Sequence, residues 1–467
     1  MKKLKNLSNV KITGISADGK AVGRKDRMVV FVKGGAPGDV VDLRIIGKEK
    51  KFLIGAPTHF HARSEDRTEP FCAHFGTCGG CKWQHITYEA QLKHKQDHVE
   101  NNMKKLSGVE LPGIEPIIGS SDTTFYRNKL EFTFSNNRWL TREEIDSGRE
   151  FNRNALGFHI PKMFDKILNI EQCHLQADPS NLIRNSVREY AEEHKFSFYD
   201  IREQKGLLRN LIIRTTTLGE IMVILQFGEY DRPKIVKMMN FLREEFPEIT
   251  SLMYIVNEKK NETYYDLPVT TFHGEDFIQE KMGDLTFRIG PKSFYQTNSK
   301  QAVTLYEKAL EFADLTGEEI VYDLYTGTGT IANFVAGKSK KVVGIESVED
   351  AVKDARKNSG INGILNTEFY AGDMKDILTN EFIREHGKPK VVITDPPRAG
   401  MHKNVIKALN KIEPHRIVYV SCNPATQARD IQDLSENYTV ERLQPVDMFP
   451  HTHHVENVAL LKSKKHA

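Results

Sequence analysis

"YDLYTGTGTIA" (residues 322–332) decides how the C-terminal part of this chain folds. An apolar run ends there in a glycine-rich turn and opens into a helical stretch. Glycines at such a turn let the backbone approach a ligand at the carboxyl end of a strand. Gly327 and Gly329, followed by Ala332, fit the dinucleotide-binding pattern, although a tight strand–helix turn without a ligand would use the same residues. Outward from this turn the pattern is regular. A helix is expected at 298–313, before the strand "EIVYDLY". Helical stretches then separate "KVVGIE", "TEFYAGD", "KVVITDPP", "RIVYVSC" and "NVALLKS". Apolar strands alternating with helices indicate an α/β, doubly wound, mostly parallel sheet. Glu346 ends the next strand, about 20 residues on, where an acid commonly takes ribose hydroxyls. Asp373 follows another strand in "YAGD", where it would contact a base or cap a helix.

The chain has 467 residues, too many for one ordinary core, so several domains are expected. Its 39% hydrophobic and 28% charged residues are those of a soluble globular protein. No apolar run of about 18 residues is present to span a membrane. The N-terminus "MKKLKNLSNVKITG" lacks the apolar stretch of a signal peptide. A cytoplasmic location is expected, and disulfides are rare there. The net charge is only +3, but residues 1–69 hold 15 Lys+Arg against 8 Asp+Glu, and the remainder holds 51 against 55. A basic module on a slightly acidic body suggests a polyanion partner, most simply nucleic acid. A solvated basic surface is the alternative.

Upstream, residues 8–56 alternate the β-type runs "VKITGIS", "MVVFVKG", "DVVDLRIIG" and "KFLIG" with the turns "ADGKA", "GGAPGD" and "GKEKK". This spacing predicts a small closed barrel of the OB type, a fold that often binds RNA or single strands. "HARSEDRTEP" (61–70) reads as a linker, and 87–106 as a polar helix. From 123 to about 285 strands and helices mix, which predicts an α+β region. The expected organisation is a barrel at 1–68, a central region at 69–290 and a catalytic domain at 291–467, with helix 87–106 packing on the last.

Two further C-terminal motifs carry chemistry. "TDPPRAGMH" (394–402) sets Asp395 at a strand end in a loop stiffened by prolines. "VSCNPATQARD" (420–430) sets Cys422 at the end of an apolar strand, where reacting groups gather in an open α/β sheet. A lone cysteine is usually a small buried thiol. The following Asn-Pro would stop the strand and expose the sulfur. With "SFYQTN" (293–298), "DLYTGTG", "DPPRAG", "SCNPAT" and "FPHTHHVE" (449–456) in this order, the chain resembles the RNA 5-methyluridine methyltransferases over nearly its whole length. These enzymes methylate uracil C5 in ribosomal or transfer RNA with S-adenosylmethionine (SAM).

The resemblance implies an N-terminal TRAM barrel, a cysteine-rich central domain and a Rossmann-like SAM domain. It implies Cys422 as nucleophile and Glu456 as the base that removes the C5 proton. Gln296, Tyr325, Glu346 and Asp395 match SAM-binding positions. Thr330 aligns with a cofactor-contacting position that is asparagine in some members, and Asp373 joins this set as an adenine contact. His453 stands where the pattern usually has glycine. The chemistry fits these roles: a thiolate adding to C6 makes C5 nucleophilic, and a base then releases the product. Asp395 is also placed to hydrogen-bond the uracil edge. His451, His453 and His454 lack the spacing of a common metal-ligand set.

"CAHFGTCGGC" (72–81) holds three of the five cysteines. Their clustering reads as metal ligands or redox thiols before it reads as disulfides. Cys72, Cys78 and Cys81 (C-x5-C-x2-C) and the distant Cys173 make four thiolates, the number that a 4Fe–4S cluster or a structural zinc ion needs. The resemblance favours the cluster. A radical-SAM methylthiotransferase would show C-x3-C-x2-C, and an RNA-binding iron–sulfur protein without activity would not need "SCNPAT" and Glu456. Arg127, Lys129, Arg209 and Arg214 are candidate phosphate contacts, with Arg127 and Lys129 on one strand face. A TRAM barrel with a cluster favours 23S ribosomal RNA over the transfer-RNA T-loop uridine as substrate, and a monomer is expected.

Overall fold

A computed structural model describes residues 6–466. In the first segment side chains alternate inward and outward, as strands closing on a small core must. Strands β1 (Leu7–Ile15), β2 (Ala21–Lys25), β3 (Met28–Val32), β4 (Val40–Lys48) and β5 (Phe52–Ala62) form a closed barrel in the order β1-β2-β3-β5-β4. Val10, Ile12, Val30, Val32, Val41 and Leu43 fill it. The stretch read as the turn "ADGKA" ends in a strand the sequence reading did not resolve, β2, whose short "AVGRK" gives little apolar signal. Gly23 permits its close approach to β1: a Cβ there would lie 2.9 Å from the Lys11 carbonyl oxygen.

Helix α1 (Tyr88–Leu106) starts at Thr87, whose hydroxyl accepts the Ala90 amide. The central sheet comprises β6 (Lys129–Ser135), β7 (Ala155–Ile160), β8 (Met163–Asn169), β9 (Leu208–Thr215), β10 (Ile221–Phe227), β11 (Ser251–Val256) and β12 (Thr270–Gly274), in the order β12-β11-β10-β9-β6-β7-β8. Helices α2 (Arg142–Asp146), α3 (Ser180–Glu193) and α4 (Arg232–Glu245) complete this α+β unit. The hairpin of β13 (Ile278–Met282) and β14 (Leu285–Ile289) leads to the C-terminal sheet.

That sheet alternates with helices as the apolar runs predict. Its elements are α5 (Ser299–Ala313), β15 (Ile320–Leu324), α6 (Thr330–Ala336), β16 (Lys341–Glu346), α7 (Glu349–Ile361), β17 (Thr367–Ala371), α8 (Met374–Ile377), α9 (Asn380–His386), β18 (Val391–Thr394), α10 (Lys403–Ile412), β19 (Arg416–Ser421), α11 (Pro424–Leu434), β20 (Tyr438–Val446) and β21 (Glu456–Ser463). The strand order is β17-β16-β15-β18-β19-β21-β20. The first five strands are parallel, and β21 runs antiparallel between β19 and β20. The order reverses between β15 and β18, and ligands of open α/β sheets bind beyond the strand ends at such a switch point. Among the described residues no helix is long and apolar enough to cross a membrane.

Although it precedes the central sheet, α1 packs on the C-terminal one. Val99 and Met103 are fully buried in the core that holds Tyr322, Leu324 and Tyr419. The same helix buries Lys95, whose ammonium lies 2.5 Å from Asp447 Oδ1 and also donates to the Phe449 carbonyl. Both side chains of this ion pair are 0% exposed. Removing one partner strands the other charge, so Lys95→Met should cost about 3–5 kcal/mol of stability. Urea denaturation measures it, and a loss below about 1 kcal/mol, the value of an exposed pair, would contradict this account.

Candidate active site

The glycine turn lies at the carboxyl end of β15. Tyr325 (φ 64°), Gly327 (φ 56°) and Gly329 (φ 77°) all adopt left-handed backbone, which reverses the chain into α6. A Cβ at Gly329 would meet Ala355 at 2.9 Å, so the turn closes on α7. Glu346, at the end of β16, accepts the Gly327 amide at 3.1 Å and the Val348 amide at 2.9 Å. Its carboxylate thus edges the turn. Thr330 opens α6 and is buried, its hydroxyl 3.4 Å from that of Thr328. Tyr325 and Asp373 border one cavity of about 480 Å³ with Ser347, Met374, Pro397 and His402. Asp373 also caps α8 through the Lys375 amide and pairs with the Lys375 ammonium. Gln296 reaches the site from the segment before α5. Its backbone carbonyl accepts Asn128 Nδ2 at 2.8 Å.

Cys422 follows β19. Asn423 stops the strand and caps α11 by accepting the Ala425 amide, and Pro424 opens the helix. The sulfur is left half-buried at the crevice. Ser421 faces Asn457 across the antiparallel β19–β21 pair, which leaves Cys422, just past β19, beside the start of β21 at Glu456. Asp395 ends the neighbouring β18, its amide donating to the Leu324 carbonyl at 3.4 Å. Burial pushes the Asp395 carboxyl up to about 7. Burial, reinforced by the Asp395 charge and opposed by Arg398, pushes Glu456 up to about 8. Burial and the two carboxylates push the Cys422 thiol up to about 11, against the pull of Arg398. Arg398 belongs to the loop after Asp395, which docks on α11. Its carbonyl accepts Asn423 Nδ2 and Thr426 Oγ1, and its guanidinium lies 3.4 Å from His454. The crevice therefore assembles a thiol, two acids that favour their neutral forms and one cation.

A sequence model of the tRNA (uracil-5-)-methyltransferase family matches residues 271–464, and that of the TRAM domain matches residues 8–58. An RNA methyltransferase of Bacteroides thetaiotaomicron is 56% identical over 96% of this chain and 100% of its own length. One of Porphyromonas gingivalis is 54% identical over 97% and 99%. The crystal structure of Pyrococcus abyssi tRNA (uracil-54, C5)-methyltransferase with S-adenosyl-L-homocysteine superposes with a TM-score of 0.75. It is 30% identical and covers 97% of this chain and 99% of that one. The chain belongs to the RNA uracil-C5 methyltransferases. It is a SAM-dependent enzyme with an N-terminal TRAM barrel.

In this methyltransferase Cys72, Cys78, Cys81 and Cys173 border one cavity of about 220 Å³, although Cys173 comes from beyond β8. None is in a disulfide. Burial, with the other thiols nearby, pushes Cys78 up to about 12 and Cys81 up to about 11. Among the described residues no three His, Cys, Asp or Glu side chains converge as the ligands of a single metal ion do.

The arginines expected on RNA are elsewhere. Both faces of β9 are covered, so Arg209 and Arg214 turn inward. Arg209 donates to the Asn257, Lys259 and Asn261 carbonyls, and Arg214 to that of Ser293. They brace the scaffold. Arg127 precedes β6 and does not share a strand face with Lys129: its guanidinium lies over the Phe449 ring and borders the cysteine cavity. Lys129 is largely buried, which lowers its ammonium to about 8. Sequence reading assigned no role to Arg398, although it stands inside "DPPRAG", or to Gln91, Lys95 and Asp447, whose contacts only the fold reveals.

A carboxyl whose folded pKa is raised adds stability below its unfolded value and loses it as pH climbs to the folded one. Glu456 therefore weakens the fold progressively from its ordinary 4.5 up to about 8. Glu456→Gln removes this cost, so its melting temperature should gain on wild type across that window. Melts at pH 5 and pH 9 that keep the same difference would contradict the buried, neutral-favouring carboxyl.

Proposed function

We propose that this methyltransferase modifies uridine in 23S ribosomal RNA through a covalent adduct on Cys422, with Glu456 as the base. The placement of Cys422 just past β19 and of Glu456 at the start of its antiparallel neighbour β21 supports the nucleophile and base assignments. Bound SAM supplies an electrophilic methyl group, and Gln296, Tyr325, Thr330, Glu346, Asp373 and Asp395 are the residues that would hold it. Glu346 at the glycine turn suits ribose hydroxyls, and Asp373 at the cavity suits an adenine edge.

The Cys422 thiolate adds to uracil C6, and the electron pair moves onto C5, which takes the methyl group. Glu456, acting from its ionised form, then accepts the C5 proton, the C5–C6 double bond re-forms, and the thiolate leaves. Burial favours the thiol, so the attacking thiolate is a minor form whose proton has gone to solvent before addition, and Arg398 stabilises its negative charge. Asp395, whose neutral form is favoured, would in that form donate a hydrogen bond to a uracil carbonyl oxygen. The target base must leave its stack to reach this crevice.

Residues 1–68 and 69–290 serve as RNA-holding modules, and 291–467 as the catalytic domain. The four cysteines suit a 4Fe–4S cluster, which supplies structure and no step of the reaction. Anaerobically purified protein should be brown, and Cys173→Ser should lose iron; colourless protein with one equivalent of zinc would overturn the cluster. The transfer-RNA T-loop uridine is the second reading, favoured by likeness to the Pyrococcus enzyme. Mapping 5-methyluridine in both RNAs from a deletion strain separates them: loss from 23S RNA supports the first, and loss from transfer RNA the second.

Glu456 acts only after methyl transfer, so Glu456→Gln should add and methylate and then stall. With RNA and methyl-labelled SAM it should give a labelled protein–RNA band on a denaturing gel. Cys422→Ala should give none. A labelled band from Cys422→Ala would remove it as nucleophile, and an unlabelled adduct of Glu456→Gln would place Glu456 at or before methyl transfer.

A further inference from the structure

The loop between β20 and β21 leads into Glu456, and outside contacts on it converge at His451. Two successive amides, Lys82 at 2.8 Å and Trp83 at 3.2 Å, donate to the His451 carbonyl. The His451 amide donates to Gln91 Oε1 at 2.8 Å, and its Nδ1 lies 3.2 Å from Gln91 Nε2. Gln91 Nε2 also donates to the carbonyls of Trp83 and Ile86, each at 3.1 Å. Gln91 is wholly buried. His451 has a φ of 64°, a conformation that a non-glycine residue keeps only where its surroundings impose it. Lys82 and Trp83 also hold the barrel: Lys82 Nζ donates to the Asp18 carbonyl at 2.8 Å, and Trp83 Nε1 to that of Gly19 at 3.0 Å. His453, in the same loop, packs under Gly19 so closely that a Cβ there would lie 2.7 Å from the histidine Cβ. One peptide bond joins Lys82 to Cys81.

We propose that Gln91 and the Lys82 and Trp83 amides form a positioning clamp that registers Glu456 against Cys422, and that the cysteine site acts on catalysis through it. The proposal rests on the reading of Glu456 as the late base. None of the three touches substrate. Addition of Cys422 to C6 and methyl transfer to C5 do not use Glu456, whereas proton removal does. Loosening the clamp should therefore slow the last step selectively, and the methylated adduct should accumulate.

Gln91→Met keeps the side-chain volume and removes these hydrogen bonds. It is assayed on total RNA from a strain lacking the enzyme, with methyl-labelled SAM. Turnover should fall roughly 10- to 100-fold, as expected of a misplaced reacting group. The KM for RNA should stay within about twofold, since ground-state binding is untouched. Labelled protein–RNA adduct should build up toward the level of Glu456→Gln. Lost turnover without adduct, while Glu456→Gln accumulates it, overturns the clamp. If Glu456→Gln accumulates none, the base assignment falls and takes the clamp's role in proton removal with it. A second measurement does not need Gln91→Met to fold. Trp139→Phe leaves Trp83, 3% exposed, as the sole tryptophan. In that background Cys81→Ser should shift the Trp83 emission to the red and open it to acrylamide quenching. Unchanged emission and quenching would overturn the link from the cysteine site to the clamp.

Discussion

The buried ion pair of Lys95 and Asp447 is the contact on which the remaining architecture depends. It fixes α1 to the C-terminal sheet with both charges shut off from bulk solvent, so both partners need the hydrogen bonds they make. Asp447 also accepts the Tyr88 hydroxyl and the Phe449 amide, and Lys95 also donates to the Phe449 carbonyl. The start of the loop before Glu456 is thereby tied to a helix from another part of the chain. Further along, Tyr126 donates to the Pro450 carbonyl from the central region, and Gly19 closes over His453 from the barrel. Every module of the molecule thus bears on the few residues that precede Glu456. A short loop between antiparallel strands has little rigidity of its own, and here rigidity is supplied from outside.

What the loop delivers is a carboxyl in an unfavourable place. Asp395 and Glu456 lie near Cys422, and all three are driven toward neutral forms by burial. Arg398 is the cation among them. A site so arranged is poor at holding resting charge and well suited to charge that appears only during reaction, because fixed dipoles and one guanidinium then act at low dielectric. The same logic explains why the aspartate stands after a strand and before two prolines: the loop cannot relax away from the crevice.

Much of this was legible in the sequence because the features are local. The alternation of apolar runs with helices gave the parallel sheet, and "TGTG" after a strand marked a glycine turn at its carboxyl end. Asn423-Pro424 announced that the strand carrying Cys422 would end there. The helix at 87–106 was readable from its own residues. The barrel was legible as a class, but β2 was hidden in a short stretch resembling a turn. Features depending on tertiary position were not legible. Arg209 and Arg214 look like phosphate contacts on an alternating strand, yet β9 is covered on both faces, and their charges are satisfied by backbone carbonyls. Lys95 and Asp447 are 352 positions apart and carry no shared local signal. Gln91 is one polar residue in a polar helix, and only folding reveals that its amide holds two distant segments together.

The central claim is that the enzyme replaces the C5 hydrogen of uracil with a methyl group by way of Cys422. RNA labelled with tritium at uridine C5 tests this directly. Wild-type enzyme with SAM should release one tritium into water for each methyl group transferred, and Cys422→Ala should neither release tritium nor transfer methyl. Methyl incorporation without tritium release would place the methyl group on another atom and contradict the account.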